Sequence, residues 1–168
     1  MIYVMCGIPG SGKSHYVKIK KKFLESINHR VYVLNATDIR TLFTNNYSDK
    51  RFHKQVFSTT NYWLVAYLRR CTLKDDVLID KTTGNEVDIF IDATYIKREH
   101  RTPLVKIAQD AGMGNQIACV FVNPPIDIVL KQNKKREFIV PERNILQMYE
   151  RFEFPSEKEG FAKIYVIE

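Results

Sequence analysis

Short apolar runs alternate along this chain with longer stretches in which apolar and polar residues are mixed. The runs Ile2–Gly7, Val31–Asn35, Asp88–Asp92, Gln116–Val122 and Ala162–Ile167 are rich in Val, Ile and Phe, which predicts strands covered on both faces. The mixed stretches between them predict helices. One runs from Lys13 to about Ser26. A long one covers about Arg51–Cys71, with Val56, Tyr62, Trp63, Ala66 and Tyr67 among its candidate core positions. A third covers about Arg98–Ala111 and stops at Gly112, a residue suited to ending helices. Pro124 and Pro125 open a helix carrying Ile128, Val129 and Leu130, and Pro141 opens the last one, because proline is tolerated in a first helical turn. Between those two helices Lys131–Val140 is polar and basic apart from its end, which makes it the candidate for a mobile lid. Thr72–Glu86 stays open between a small hairpin, with Val77–Asp80 and Glu86–Val87 on either side of Lys81–Asn85, and a plain surface loop. Strands alternating with helices predict an α/β fold, a parallel sheet flanked by helices on both faces.

The length of 168 residues fits one domain, 1–168, large enough to bury roughly two thirds of its unfolded surface. Such a domain needs no disulfide or structural metal to fold. No apolar run approaches the roughly 20 residues needed to span a bilayer, so no membrane association is expected. Met1–Ile8 leads directly into a glycine-rich loop, unlike a signal peptide. Cys6, Cys71 and Cys119 show no CxxC spacing and are expected to be reduced thiols in a cytoplasmic protein, with Cys6 and Cys119 packed in the core. The net charge of +7 favours an anionic partner, since a positive cleft attracts phosphates.

Gly7-Ile8-Pro9-Gly10-Ser11-Gly12-Lys13-Ser14 fits G-x-x-x-x-G-K-[ST] at every fixed position, with an apolar strand before it and a helical run after it. Glycines let such a backbone curl until its N–H groups point inward at phosphate oxygens, and the helix N-terminus adds partial positive charge. The loop therefore predicts a site for ATP with magnesium. Lys13 would reach the β- and γ-phosphates and the Ser14 hydroxyl would ligate Mg2+. Lys18, Lys20, Lys21 and Lys22 in the following helix are expected on a solvated face.

Ligands of open parallel sheets sit at the carboxyl ends of the strands, so reactive residues are sought there. The second strand ends in Asn35-Ala36-Thr37-Asp38-Ile39-Arg40. Asp38 is the candidate to orient or deprotonate an attacking hydroxyl, and Arg40 the candidate to fork onto a substrate phosphate. The competing reading makes Asp38 a helix N-cap and leaves Arg40 solvated. The third strand ends in Asp92, which resembles a Walker-B position that holds magnesium or its water shell; capping of the neighbouring loop is the alternative. Arg98 and Arg101 follow, with surface exposure as the default. Lys131, Lys134, Lys135 and Arg136 make the lid basic, as closure over a γ-phosphate would require.

Together these residues resemble the P-loop kinases grouped around the phage polynucleotide 5′-hydroxyl kinase, within the wider AAA-family ATPase class, over nearly the whole chain. The resemblance is carried by Gly7–Ser14 with Pro9 included, by Ile91-Asp92-Ala93-Thr94 with Arg98 and Arg101, and by Asn133-Lys134-Lys135-Arg136 followed by Val140-Pro141. It is completed by Phe152-Glu153-Phe154-Pro155 and Glu159-Gly160-Phe161. It implies a five-stranded parallel sheet of order 2-3-1-4-5. It also implies transfer of the γ-phosphate of ATP to a hydroxyl, the 5′-OH of a nucleic acid in first place, with Arg136 as the lid arginine that stabilises the transferring group. The phage enzyme carries its catalytic aspartate three residues before a phosphate-binding arginine. Here Thr37 stands three residues before Arg40 and Asp38 only two. A kinase for a nucleoside, sugar or antibiotic and a nucleotide-binding module with little catalysis are the rival readings.

Overall fold

The computed structural model describes residues 1–45, 49 and 51–168. The chain runs β1 (Ile2–Cys6), α1 (Lys13–Ser26), β2 (Arg30–Asn35), α2 (Ala36–Thr44), α3 (His53–Arg69), β3 (Cys71–Lys74), β4 (Val77–Asp80), β5 (Val87–Asp92), α4 (Arg98–Asp110), β6 (Ile117–Val122), α5 (Ile126–Lys134), α6 (Glu142–Glu150) and β7 (Lys163–Ile167). Five strands form one parallel sheet in the order β2-β5-β1-β6-β7. Counting only these five gives 2-3-1-4-5; the interposed hairpin shifts the labels.

Because side chains alternate across a strand, each central strand serves two cores. Ile2, Val4 and Cys6 of β1, Ile89 and Ile91 of β5, and Ile117, Cys119 and Phe121 of β6 pack with Leu64 and Leu68 of α3 and Leu104, Val105 and Ala108 of α4. Met5, Phe90, Val120 and Val122 face the other way, onto Val17 of α1. Cys6 and Cys119 are buried free thiols, as expected.

The long helix differs from its expectation in length and in its inner face. It is α3, shorter at both ends than Arg51–Cys71, and it buries Val56, Thr60, Leu64 and Leu68, one residue per turn. Tyr62 lies 70% exposed on the outer side. Thr60 is tolerated inside because its hydroxyl donates to the Val56 carbonyl, 2.8 Å away.

The open segment resolves as a hairpin, β3 against β4, entered from Cys71 rather than from Val77. Its turn, Asp75-Asp76, has positive φ at both residues (50° and 59°), the backbone that two-residue hairpin loops require. Ile79 also bridges Glu86, so part of the alternative pairing is present as well.

Arg101 is not on the surface. It is completely buried, and its Nε and Nη2 donate to the two carboxylate oxygens of Glu159 at 2.7 Å each, while Nη1 donates to the Tyr95 carbonyl at 2.9 Å. The bond joins α4 to the Glu159-Gly160-Phe161 segment, so two stretches of the resemblance are one structural device. Removing one partner of such a pair strands a charge in the interior, at a cost of about 3–5 kcal/mol. Glu159→Ala is therefore expected to lower unfolding stability by about that amount, as measured by denaturant titration. A change inside about 1 kcal/mol would show that the guanidinium finds water or another partner.

Candidate active site

The carboxyl ends of β1, β2, β5 and β6 lie along one edge of the sheet, and the glycine loop leaves β1 there. Two close approaches explain its glycines. At Gly7, whose N–H donates to the Thr94 carbonyl at 3.0 Å, an added Cβ would lie 2.5 Å from the Val122 carbonyl oxygen. At Gly10, with φ +86°, a Cβ would lie 2.8 Å from the Val129 carbonyl oxygen of α5. The loop is thus pressed between the end of β6 and α5. Gly12 enters α1 in a left-handed conformation with no side-chain cap, so the first N–H groups of that helix remain available to an anion.

Lys13 opens α1 and is buried. Its ammonium donates to the Ile8 carbonyl at 2.9 Å and to Ser11 Oγ at 3.4 Å, which arches the side chain back along the loop. Burial lowers its pKa to about 8; the Asp92 carboxylate pulls it back up and the Arg136 charge pushes it further down. Ser14 is exposed at the first turn of α1. Asp92 is buried at the end of β5, with Oδ2 accepting from Asn35 Nδ2 at 2.8 Å. Among the described residues nothing donates to its other oxygen, Oδ1. Among the described residues no three His, Cys, Asp or Glu side chains cluster as a protein-only metal cage. That donor set, one hydroxyl and one free carboxylate oxygen beside a phosphate loop, fits magnesium. This ion keeps several waters and takes few protein ligands when phosphates are present.

Asn35 was not expected at the site. Its amide oxygen accepts from the N–H groups of Thr37 (2.8 Å) and Asp38 (3.2 Å), while its nitrogen binds Asp92. It is the N-cap of α2, so Asp38 is not the cap. β2 ends at Asn35, and Thr37 and Asp38 both sit exposed in the first turn of α2. Their directions therefore follow helix geometry rather than strand alternation. Thr37 and Arg40, three apart, share a face, whereas Asp38 and Arg40, two apart, point to opposite sides. Arg40 is half-buried rather than solvated.

The stretch Lys131–Val140, expected to be a lid, is only partly loop: Lys131 and Lys134 belong to α5, and the loop begins at Lys135. Asn133 closes its base. This buried amide donates to the Val140 carbonyl (2.7 Å) and accepts from the Val140 N–H (3.1 Å). A polar residue four positions after buried Val129 was the available signal, since the two share a helix face. Arg136 stands exposed just beyond this clamp, with its N–H donating to the Asn133 carbonyl at 3.2 Å.

A family model described as an AAA domain matches residues 2–155. The chain belongs to this AAA domain family. Among curated proteins it is similar to the L-seryl-tRNA(Sec) kinase of Methanococcus maripaludis, 23% identical over 158 residues, which are 94% of this chain and 54% of the relative. The chain thus spans about half the length of that relative. Among solved structures, Chaetomium thermophilum Kti12 in complex with ADP-AlF3 superposes with a TM-score of 0.64 at 14% identity, covering 99% of this chain and 88% of that one. The Mycobacterium tuberculosis APS kinase CysC, in complex with AMPPNP and APS, gives 0.62 at 16%, covering 98% and 87%. These likenesses establish a P-loop kinase-like α/β domain with kinase relatives. They do not single out the phage polynucleotide kinase branch. Among the described residues no helix is long and apolar enough to cross a membrane.

Proposed function

We propose that this domain transfers the γ-phosphoryl group of ATP to a hydroxyl carried by a nucleic acid, the 5′-OH in first place. The observation that carries the reading is Lys13: a buried ammonium arched along an open glycine loop, within electrostatic reach of both Asp92 and Arg136. A cation is thereby held where a triphosphate would lie, with a carboxylate and a lid arginine beside it. The nucleic-acid acceptor is supported by the net charge of +7 and by the relative whose name places its substrate on a tRNA.

In this reading the backbone N–H groups of the loop and Lys13 hold the β- and γ-phosphates. Ser14 and Asp92 would hold magnesium, directly or through its waters, and the chemistry it would supply there is neutralisation of phosphate charge. The acceptor oxygen forms a bond to the γ-phosphorus as the bond to the β-phosphate oxygen breaks. The hydroxyl proton passes to the Asp38 carboxylate and ADP leaves. Arg40, on the other side of α2 from Asp38, holds an acceptor phosphate away from the attacking hydroxyl. Arg136 meets the equatorial oxygens as charge spreads over them.

The test is incubation with γ-labelled ATP and a panel of acceptors: 5′-OH oligonucleotides of DNA and RNA, seryl-tRNA, nucleosides and sugars. Label on a nucleic acid supports the reading. Label on a free nucleoside or sugar alone favours a small-molecule kinase, and ATP hydrolysis or binding without transfer favours a nucleotide-binding module. Asp38→Asn is expected to keep ATP affinity within a few-fold and to lower transfer by about 10²–10⁴-fold, since an amide keeps the shape and cannot take the proton. Full transfer by that variant removes Asp38 from the mechanism.

A further inference from the structure

A cleft of about 310 Å³ lies beside the glycine loop, lined by Ile8, Asn123, Tyr149, Glu150, Phe152 and Phe154. It takes no part in holding the triphosphate as described above, and it absorbs the Phe152-Glu153-Phe154 stretch that the chemistry left unused. Its position relative to the loop is set by Lys13. The ammonium of that residue lies 2.9 Å from the Ile8 carbonyl, and a P-loop lysine meets the β- and γ-phosphates. A cavity walled by Ile8 therefore adjoins the glycine loop along which the triphosphate would lie.

The walls are aromatic and fixed. Phe152 stacks on Phe121 with ring centres 5.0 Å apart, and Phe154 stands edge-on to both at 5.5 Å. Glu153 between them is pinned twice: its N–H donates to the Ile96 carbonyl at 2.9 Å, and its carboxylate accepts from the Arg98 N–H at 2.7 Å. Yet Phe154 is 67% exposed and Tyr149 49%, so two rings are held open to solvent at the mouth of a cleft. The polar edge is unspent. The side-chain amide of Asn123 and the carboxylate of Glu150 make no hydrogen bond within the described residues. An amide offers one donor edge and one acceptor edge, the pattern that pairs with a base. The volume sits at the lower end of ligand pockets, roughly 300–1,000 Å³, which suits one base rather than a length of strand.

We propose that this cleft is a nucleobase pocket for the acceptor. The base nearest the attacking hydroxyl stacks on Phe154 and Tyr149 and presents its edge to Asn123 and Glu150. The assignment rests on the kinase reading for its ligand, and it adds the requirement that the acceptor carry a base at that position. Because the rings are pre-positioned, little ordering opposes stacking.

The test measures equilibrium binding of a labelled single-stranded 5′-OH trinucleotide and of the same molecule made abasic at its 5′ nucleotide. The full chain is used as wild type, Phe154→Ala and Phe154→Tyr, each checked for an unchanged melting temperature. The intact trinucleotide is expected to bind about tenfold or more tightly than the abasic one, the scale of one lost base–aromatic contact. Phe154→Ala should erase that ratio and Phe154→Tyr should restore it, with ATP affinity the same in all three. Equal binding of intact and abasic molecules to the wild type overturns the proposal. So does a Phe154→Ala variant that loses affinity for ATP but not for inorganic triphosphate, since the pocket would then hold the donor's base. Binding is measured without turnover, so an absence of transfer counts against the kinase reading while the binding ratio still decides this one.

Discussion

Replacing Lys13 with alanine is expected to lower phosphoryl transfer by at least about 10³-fold, the scale of a lost cationic clamp on a transferring phosphoryl group, while the domain stays folded. The fold should survive because the ammonium contributes little to it. Its contacts are two hydrogen bonds to the loop itself, and burial already disfavours its charged form. The activity should not survive, because among the described residues no other cation takes the same place. Arg136 and the α1 lysines Lys18, Lys20 and Lys22 are exposed, and the N-terminus of α1 contributes only partial charge. A folded variant with normal turnover would end the P-loop reading of Gly7–Ser14.

The same residue predicts a pH dependence of known sign. With its pKa at about 8, Lys13 is mostly protonated below pH 8 and mostly neutral above it. A bound triphosphate favours the protonated form and raises that pKa. Nucleotide affinity is therefore expected to be flat from about pH 6.5 to 7.5. It should fall up to about tenfold per pH unit above 8, because each binding event must then take up a proton. Calorimetry in two buffers of different ionisation enthalpy should show that uptake at pH 9 and none from Lys13 at pH 7. The Lys13→Ala variant should lose the slope.

What could be anticipated from the residue order depended on range. The glycine loop, the strand ends at Asn35 and Asp92, and the proline-opened helices are local patterns whose physics lies within a few neighbours. The interactions that lock them together are not local. Arg101 and Glu159 stand 58 residues apart, and an arginine in the first turn of a helix gives no sign that it is the largest fully buried side chain. Asn35 passes for an ordinary strand-ending polar residue until β2 and β5 are paired with Asn35 opposite Asp92. Tyr62 failed as a core position for a different reason. Periodicity locates an apolar stripe, but α3 turns the stripe of Val56, Thr60, Leu64 and Leu68 inward and includes a threonine in it. Thr37 and Asp38 lie in a helix just past a strand end, so the periodicity that orients them is 3.6 rather than 2.

The Arg136→Ala change is expected to lower turnover by roughly 10³-fold or more and to weaken ATP binding by only a few-fold. The structure places Arg136 just past Asn133, whose amide ties the two ends of the loop between α5 and α6 together at Val140. The loop is held at its base while the guanidinium stays in solvent, close enough to Lys13 for its charge to lower that lysine's pKa. The two charges oppose each other. Phosphate charge lying between them would offset that opposition, most fully when charge spreads over the transferring group. An interaction that strengthens along the reaction coordinate lowers the barrier rather than the ground state, so its loss should appear in kcat and leave KM for ATP nearly unchanged. Arg136→Lys should recover only part of the rate, because an ammonium cannot make the paired contacts of a planar guanidinium. A variant with reduced ATP affinity and an unchanged rate would make Arg136 a ground-state phosphate ligand, and the stabilisation of the transferring group would then fall to Lys13 and the loop.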